Sequence, residues 1–380
     1  MGLGSARRQL AIATALGRAV PQAKMLLVTS ADEVSRFDLP PNLDTVKIPG
    51  LRKLPGGGYF SPRLGIPVSQ LQIFRSQLLL ETVKWFRPTV VLVDKHPFGI
   101  GGELKRALIA AKRSGACIVL GLRDILDDPV AVLKDWSPSH SQRRIAECYD
   151  LVLIYGEHSV YDPVKQYRFP PSLIERTKYC GYVINPPAFQ TWPEDCCALF
   201  LSKADGHPKV IGTAGGGEDG FALLKTFIQA ASGAAWNGFV IVGPLMPVKE
   251  RDALQRMAVK IHVGFQVFNP CLSGLISSVD AMVCMGGYNT LAEALSKGIP
   301  TICVPRVRPR SEQLIRAMAY ERLGLLWTLK PNECSVEALA QKVDEALKTS
   351  RQGLLHRANA LLNFDGARQA ARHILALVRR

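Results

Sequence analysis

The run from Ala281 to Val304 constrains the fold more tightly than any other part of the chain. Ala281 to Cys284 is apolar at every position, which suits a strand covered on both faces of a parallel sheet. A Gly286-Gly287 turn follows, then an amphipathic helix from Thr290 to Lys297, ended by Gly298 and Pro300. Thr301 to Val304 reads as a second apolar strand. Such a strand, turn and helix leave backbone N–H groups bare at the helix N-terminus, where an anion is stabilised. Thr290 sits where it would cap that helix, and Glu293 lies one turn inside, within reach of sugar hydroxyls. Glu312-Gln313 opens a further helix and offers a carboxylate and an amide to a polyhydroxy ligand. Together these features predict a nucleotide-sugar site.

The same alternation runs through the rest of the chain. Strands are predicted over Met25 to Thr29, Thr89 to Val93, Ile118 to Gly121, Leu151 to Tyr155 and Lys178 to Gly181. Amphipathic helices fall between them, among them Ser69 to Trp85 and Glu103 to Arg113. A second alternating series has strands at Val210 to Gly212, Phe239 to Val242 and His262 to Phe265, ahead of the two already named. Helical crossovers between short apolar strands imply an α/β chain of two doubly wound parallel-sheet domains facing across a cleft. The expected boundaries are an N-terminal domain over 1–182, a proline-rich linker over 183–195 and a C-terminal domain over 196–364. A basic amphipathic helix over 365–380 closes the chain. The start departs from this plan: Met1-Gly2-Leu3-Gly4 reads as a glycine turn leading into a helix from Ala6 to Leu16, with no strand ahead of it. A first strand is therefore expected to be missing, through a misassigned start or a truncated gene.

At 380 residues, 47% of them hydrophobic and 21% charged, the composition suits two globular domains. No apolar stretch reaches the length of a spanning helix, and no signal-peptide pattern opens the chain. The nine cysteines are scattered; even Cys196-Cys197 has no second pair at metal-ligand spacing, and no histidine has it either. A reducing cytoplasm and no bound metal are the expectations. The net charge of +15 is spread over both halves and carries no nucleic-acid-binding motif. A phosphate-bearing acceptor or peripheral contact with an anionic membrane would account for it; so would a generally basic solvated surface.

From Phe268 to Gln313 the chain resembles the donor-binding region of GT-B glycosyltransferases of family 28, the MurG-like family. The family pattern is met by Gly287, Thr290, Glu293, Gly298, Pro300, Val304-Pro305 and Gln313 without a gap. More loosely the resemblance covers almost the whole chain, and is closest to an uncharacterised bacterial branch opening Gly-Leu-Gly-His-x-Arg-Arg. It implies transfer of a sugar from a nucleotide-diphosphate donor, most simply a UDP-sugar, with inversion and without a tightly bound metal or cofactor. The C-terminal domain would bind the donor, the N-terminal domain the acceptor, and the last helix would cross back to the N-terminal domain.

The resemblance also implies residue roles. Glu293 would take the ribose hydroxyls, Gln313 and Glu312 the donor sugar, and Phe268 would pack the uracil pocket. Arg306 and Arg310 would neutralise diphosphate, and Thr290 would also touch it. The glycine-rich loop Thr213 to Gly220, with Gly215, Gly216 and Gly217, would let backbone approach phosphate ahead of a helix from Phe221 to Ala231. Glu218-Asp219 would cap that helix. On the acceptor side Gly2, Gly4, Ser5, Arg7 and Arg8 occupy the place of a family glycine loop and its basic histidine, and Arg7 and Arg8 would face phosphates across the cleft. Ser5 stands at the histidine's position and reads as a helix cap. Asp94 and His96, after one strand, become the candidates for general base; Arg123 and Asp124 follow the next strand, and His158 a third. Asp94 and His96 also read as a helix cap or a loop salt bridge. Two other functions fit part of the pattern: a non-hydrolysing UDP-sugar 2-epimerase, and a non-catalytic binder of nucleotide sugars.

Overall fold

A computed structural model describes residues 3–53, 58–136, 141–184, 200–202, 205–269 and 272–379. It divides into two compact units, one of Met1–Val183 with Asp365–Arg380 and one of Ile184–Phe364. In the first unit α1 (Leu3–Ala19) leads into β1 (Met25–Thr29) and β2 (Leu43–Lys47), then the short pair β3 (Arg52–Lys53) and β4 (Tyr59–Phe60). There follow α2 (Val68–Phe86), β5 (Val90–Asp94), α3 (Lys105–Arg113) and β6 (Cys117–Arg123). Helices α4 (Pro129–Trp136) and α5 (Ser141–Cys148) precede β7 (Leu151–Tyr155); α6 (Pro163–Gln166) and α7 (Pro171–Ile174) precede β8 (Thr177–Tyr179).

The second unit runs β9 (Lys209–Thr213), α8 (Phe221–Ala230), β10 (Asn237–Ile241), α9 (Val248–Lys260), β11 (Gly264–Gln266) and α10 (Leu272–Ser277). It continues with β12 (Ala281–Cys284), α11 (Tyr288–Leu295), β13 (Thr301–Cys303), α12 (Glu312–Arg322) and β14 (Trp327–Thr328). Helices α13 (Val336–Leu347) and α14 (Arg351–Leu361) finish it, and α15 (Gly366–Val378) belongs to the first unit.

The second unit is one six-stranded parallel sheet in the order β11-β10-β9-β12-β13-β14. β12 is apolar and buried throughout, and β9 and β10 are buried after their first residue, because helices cover both sides. Phe227, Val240, Val283, Ile302 and Leu339 meet in its core. The sharp feature is where strands end. β12 ends at Cys284; two residues on, Gly286, with a φ of +82°, takes the chain into a region other residues avoid, and the next residues wind straight into α11.

The first unit holds a four-stranded parallel sheet β5-β6-β7-β8, and β1 and β2 pair separately as a two-stranded parallel sheet. Strands β2, β3, β4 and β14 were absent from the sequence-based expectation. β2 (Leu-Asp-Thr-Val-Lys) alternates polar residues, and the others are two residues long. Helix α1 begins at Leu3, not at Ala6, so Gly4 and Ser5 lie inside it and Ser5 is no cap. At the far end α15 lies along α1, and Gly366 packs onto the backbone of Gly181 and Tyr182 so closely that a Cβ would meet carbonyl oxygens at 2.7 Å. Of the linker expected over 183–195, Val183 and Ile184 alone fall within the described residues; Val183 is buried and bridges to Asp365.

Candidate donor site

The turn after β12 is built for backbone, not side chains. A Cβ on Gly286 would sit 2.8 Å from Cys303 Sγ on the neighbouring strand, so glycine is required by space as well as by its φ. Gly287, at φ −61°, is the N-cap of α11 and its flank is open, with no atom nearer than 4.0 Å to a built Cβ. The helix therefore starts two residues earlier than the sequence suggested. Thr290 is its third residue and is buried, so it does not cap the helix; the backbone of Gly287 does.

Glu293 follows on the same helix and is wholly buried, and every residue from Tyr288 to Leu295 is largely buried. A diol reaches its carboxylate only when neighbouring side chains shift. One turn on, burial holds the Lys297 ammonium below its ordinary range, outweighing the pull of Glu293. Lys297 Nζ donates to Ser273 O at 2.7 Å and to Ser277 Oγ, which ties α11 to α10.

Around this turn the structure gathers several expected residues. Arg306 Nη2 donates to Glu312 Oε1 at 3.0 Å, and its Nη1 to Asp219 Oδ2 at 2.8 Å. Burial disfavours the Arg306 charge, yet the two carboxylates outweigh it and hold the guanidinium above its ordinary range. The Arg306 backbone N–H donates to Gln313 Oε1 at 3.0 Å. Asp219 is thus spent on Arg306 and does not cap α8, whose N-cap Gly220 receives no side-chain bond. The glycine-rich loop and the start of α12 are joined through one cation. Arg310 is partly buried nearby in sequence, and Phe268 is partly buried just beyond β11, outside the core of the unit.

Within the glycine loop the three glycines differ. Gly217, at φ +95°, has the Val242 carbonyl 2.5 Å from where a Cβ would sit, and Gly243 meets the backbone of Gly215 and Gly216 as closely. Gly215 and Gly216 are open on their outer side, as backbone approached by a ligand must be. One residue escaped the sequence reading: Arg316, fully buried in α12. It donates to Gly286 O at 3.2 Å and lies 5.8 Å from the Tyr288 ring centre. Its signal was an arginine on the face of α12 that also carries Ala317 and Tyr320.

In the first unit the expected acceptor residues are placed differently. Arg8 clamps Asp94 through bonds of 2.7, 2.8 and 3.2 Å, and Gln9 Nε2 adds one at 3.3 Å. Both side chains are shut away from solvent, at 2% and 0% exposure, and Arg8 also stacks on Tyr155 at 5.4 Å. This corrects two expectations. Asp94 is the partner of a buried guanidinium, unavailable as a base, and Arg8 faces that carboxylate, not a phosphate. Asp124 is buried against Gly156, accepting from the Ile125 N–H at 2.8 Å. His96 and Arg123 are partly exposed at strand ends, and His158 packs edge-on to Tyr179. Arg7 is partly exposed on α1, and Gly2 lies outside the described residues. Among the described residues no three histidine, cysteine or carboxylate side chains cluster as metal ligands, and no helix is long and apolar enough to cross a membrane.

Residues 225–374 match the glycosyltransferase family 28 C-terminal domain. Solved glycosyltransferases align over nearly the full length: Os79 from O. sativa in complex with UDP has a TM-score of 0.66 at 16% identity, covering 99% of this chain and 98% of its own. The chain has the GT-B fold, and its residues 225–374 are similar to the C-terminal domain of family 28 glycosyltransferases. The Acinetobacter baumannii MurG structure gives this GT-B chain a TM-score of 0.57 at 17% identity, covering 100% of it and 97% of that protein. An uncharacterized glycosyltransferase of Methanosarcina mazei is 26% identical over 316 residues, 79% of this chain and 77% of the relative. A second relative, the Vibrio cholerae UDP-N-acetylglucosamine--N-acetylmuramyl-(pentapeptide) pyrophosphoryl-undecaprenol N-acetylglucosamine transferase, is 23% identical over 164 residues. There the chain spans 43% of its own length and 46% of the relative's.

Proposed function

We propose that this GT-B chain transfers a hexosyl or N-acetylhexosaminyl group from a UDP-sugar to an acceptor hydroxyl, with inversion. The observation that carries the reading is the β12–Gly286–Gly287–α11 unit, with its glycine turn held open at a helix N-terminus and Glu293 one turn within. Donor diphosphate would lie on the N–H groups of that turn and on the outer side of Gly215 and Gly216, with Arg306 supplying charge. Glu293 would take the ribose diol and Gln313 the sugar. The acceptor oxygen attacks the anomeric carbon as its bond to the diphosphate breaks, the hydroxyl proton passes to a base, and UDP leaves. With Asp94 committed to Arg8, His96 is the remaining candidate for that base.

A non-catalytic sugar-nucleotide binder is the second reading, and one observation favours it: Ser5 lies within α1 and the nearest carboxylate of that region is locked in an ion pair. Calorimetric titration with UDP, UDP-GlcNAc and GDP-mannose tests the donor class; preference for GDP-mannose would refute the UDP reading. Incubation with UDP-GlcNAc alone separates a transferase from an epimerase, since only the epimerase yields ManNAc without acceptor.

A further inference from the structure

Arg316 of α12 is fully buried, and a guanidinium is costly to bury unless its N–H groups are put to use. It shares one stripe of the helix with Glu312 and Tyr320, a turn away on either side. Its Nη1 donates to Gly286 O at 3.2 Å, and the guanidinium carbon lies 5.8 Å from the centre of the Tyr288 ring. The first turn of α12 closes on the same glycine, since a Cβ on Gly286 would stand 3.5 Å from Gln313 O. Arg316 thus grips the turn after β12 at buried Gly286, while Gly287, the next residue, is partly exposed.

That grip fixes a peptide plane. The Gly286–Gly287 bond is trans, so its C=O and N–H point in opposite directions. With the carbonyl held on Arg316, the Gly287 N–H is turned the other way, on a residue whose flank is open to 4.0 Å around a built Cβ. Among the described residues no acceptor lies within hydrogen-bond reach of that N–H. Glycine on both sides of the bond leaves the plane free to turn over unless something holds it. Turning it over would change ψ of Gly286 and carry φ of Gly287 from −61° to a positive value, a move that glycine makes at little cost. The inverted peptide would aim a carbonyl oxygen, in place of a donor, at any anion on the turn.

We propose that Arg316 is a positioning residue for the donor diphosphate: by anchoring Gly286 O it keeps the Gly287 N–H aimed at phosphate and excludes the inverted peptide. The proposal rests on the UDP-sugar reading of this turn. Arg306 would meet the donor with its own charge, whereas Arg316 acts through the backbone it holds. The base and ribose gain nothing from that backbone N–H. Removing Arg316 therefore weakens ligands that carry phosphate and spares the nucleoside, a signature that general loss of packing does not give.

The test titrates UDP and uridine into the parent chain and Arg316→Met, and again into both with Gly287→Ala added. Arg316→Met should weaken UDP by about tenfold or more, the loss of a hydrogen bond from a charged group, and leave uridine within about twofold. Gly287→Ala bars the positive φ that the inverted peptide needs, so in that background the cost of Arg316→Met should fall to about threefold or less. Should Arg316→Met fail to fold, Arg316→Lys, which keeps the cation but reaches the carbonyl less well, carries the same comparison with the same two requirements. The proposal is overturned if UDP and uridine weaken alike, or if the loss for UDP is as large with Gly287→Ala as without it. A parent chain that binds neither ligand defeats the donor reading itself, and this role for Arg316 with it.

Discussion

Replacing Asp94 by asparagine separates a buried structural anion from a catalytic base. The substitution keeps shape and volume, so it opens no cavity; what it removes is the charge opposite Arg8. That guanidinium is 2% exposed, makes three bonds of 2.7–3.2 Å to the carboxylate, and has no route to water at that position. Breaking one partner of such a pair costs about 3–5 kcal/mol, because the other charge stays buried. For a unit of this size each kcal/mol moves the midpoint by about 2–4 °C, so Asp94→Asn should melt roughly 6–20 °C lower. Scanning calorimetry reads this directly. The double substitution Arg8→Met with Asp94→Leu, which removes both charges and keeps apolar volume, should recover most of the loss. If Asp94→Asn melts within about 2 °C of the parent while donor turnover collapses, the carboxylate is a base and the ion-pair argument is wrong.

Other outcomes follow from the same geometry. Gly286→Ala forces a Cβ at φ +82° to within 2.8 Å of Cys303 Sγ, costing about 1–3 kcal/mol and weakening UDP binding, whereas Gly287→Ala, with open space, should retain both stability and binding in calorimetry. Asp219→Asn removes one of the two carboxylates on Arg306 and should tighten UDP binding by about threefold at low salt, an effect that fades as salt rises. Burial first, then Lys178 and Arg372, hold His373 of α15 below its ordinary value of 6.5. The unfolded chain takes up that proton first, so this stabilisation is complete at higher pH and is lost as pH falls below 6.5; His373→Gln should flatten that part of a stability–pH curve.

Apolar runs bounded by turn residues were legible in the sequence to the residue: Met25–Thr29, Leu151–Tyr155 and Ala281–Cys284 are strands as expected. Helix starts were not, because a polar side chain in the sequence looks like a cap while backbone serves that role at Gly287. The donor turn was visible because glycine, helix and carboxylate sit within a few residues of one another. Pairings between distant segments were hidden. Arg8 and Asp94 lie 86 positions apart, and Arg306 and Asp219 lie 87 apart. Each carries a charge that elsewhere would be solvated, and only the fold brings the partners together.

A UDP-sugar site at the β12–α11 turn is checked by titrating UDP into the chain and into its Glu293→Gln variant. Both should be checked first for equal melting. Micromolar binding is expected for the parent and a loss of about tenfold or more for the variant, the cost of hydrogen bonds to a charged group. Equal affinity in two equally stable proteins would place the nucleotide elsewhere and remove Glu293 from its site.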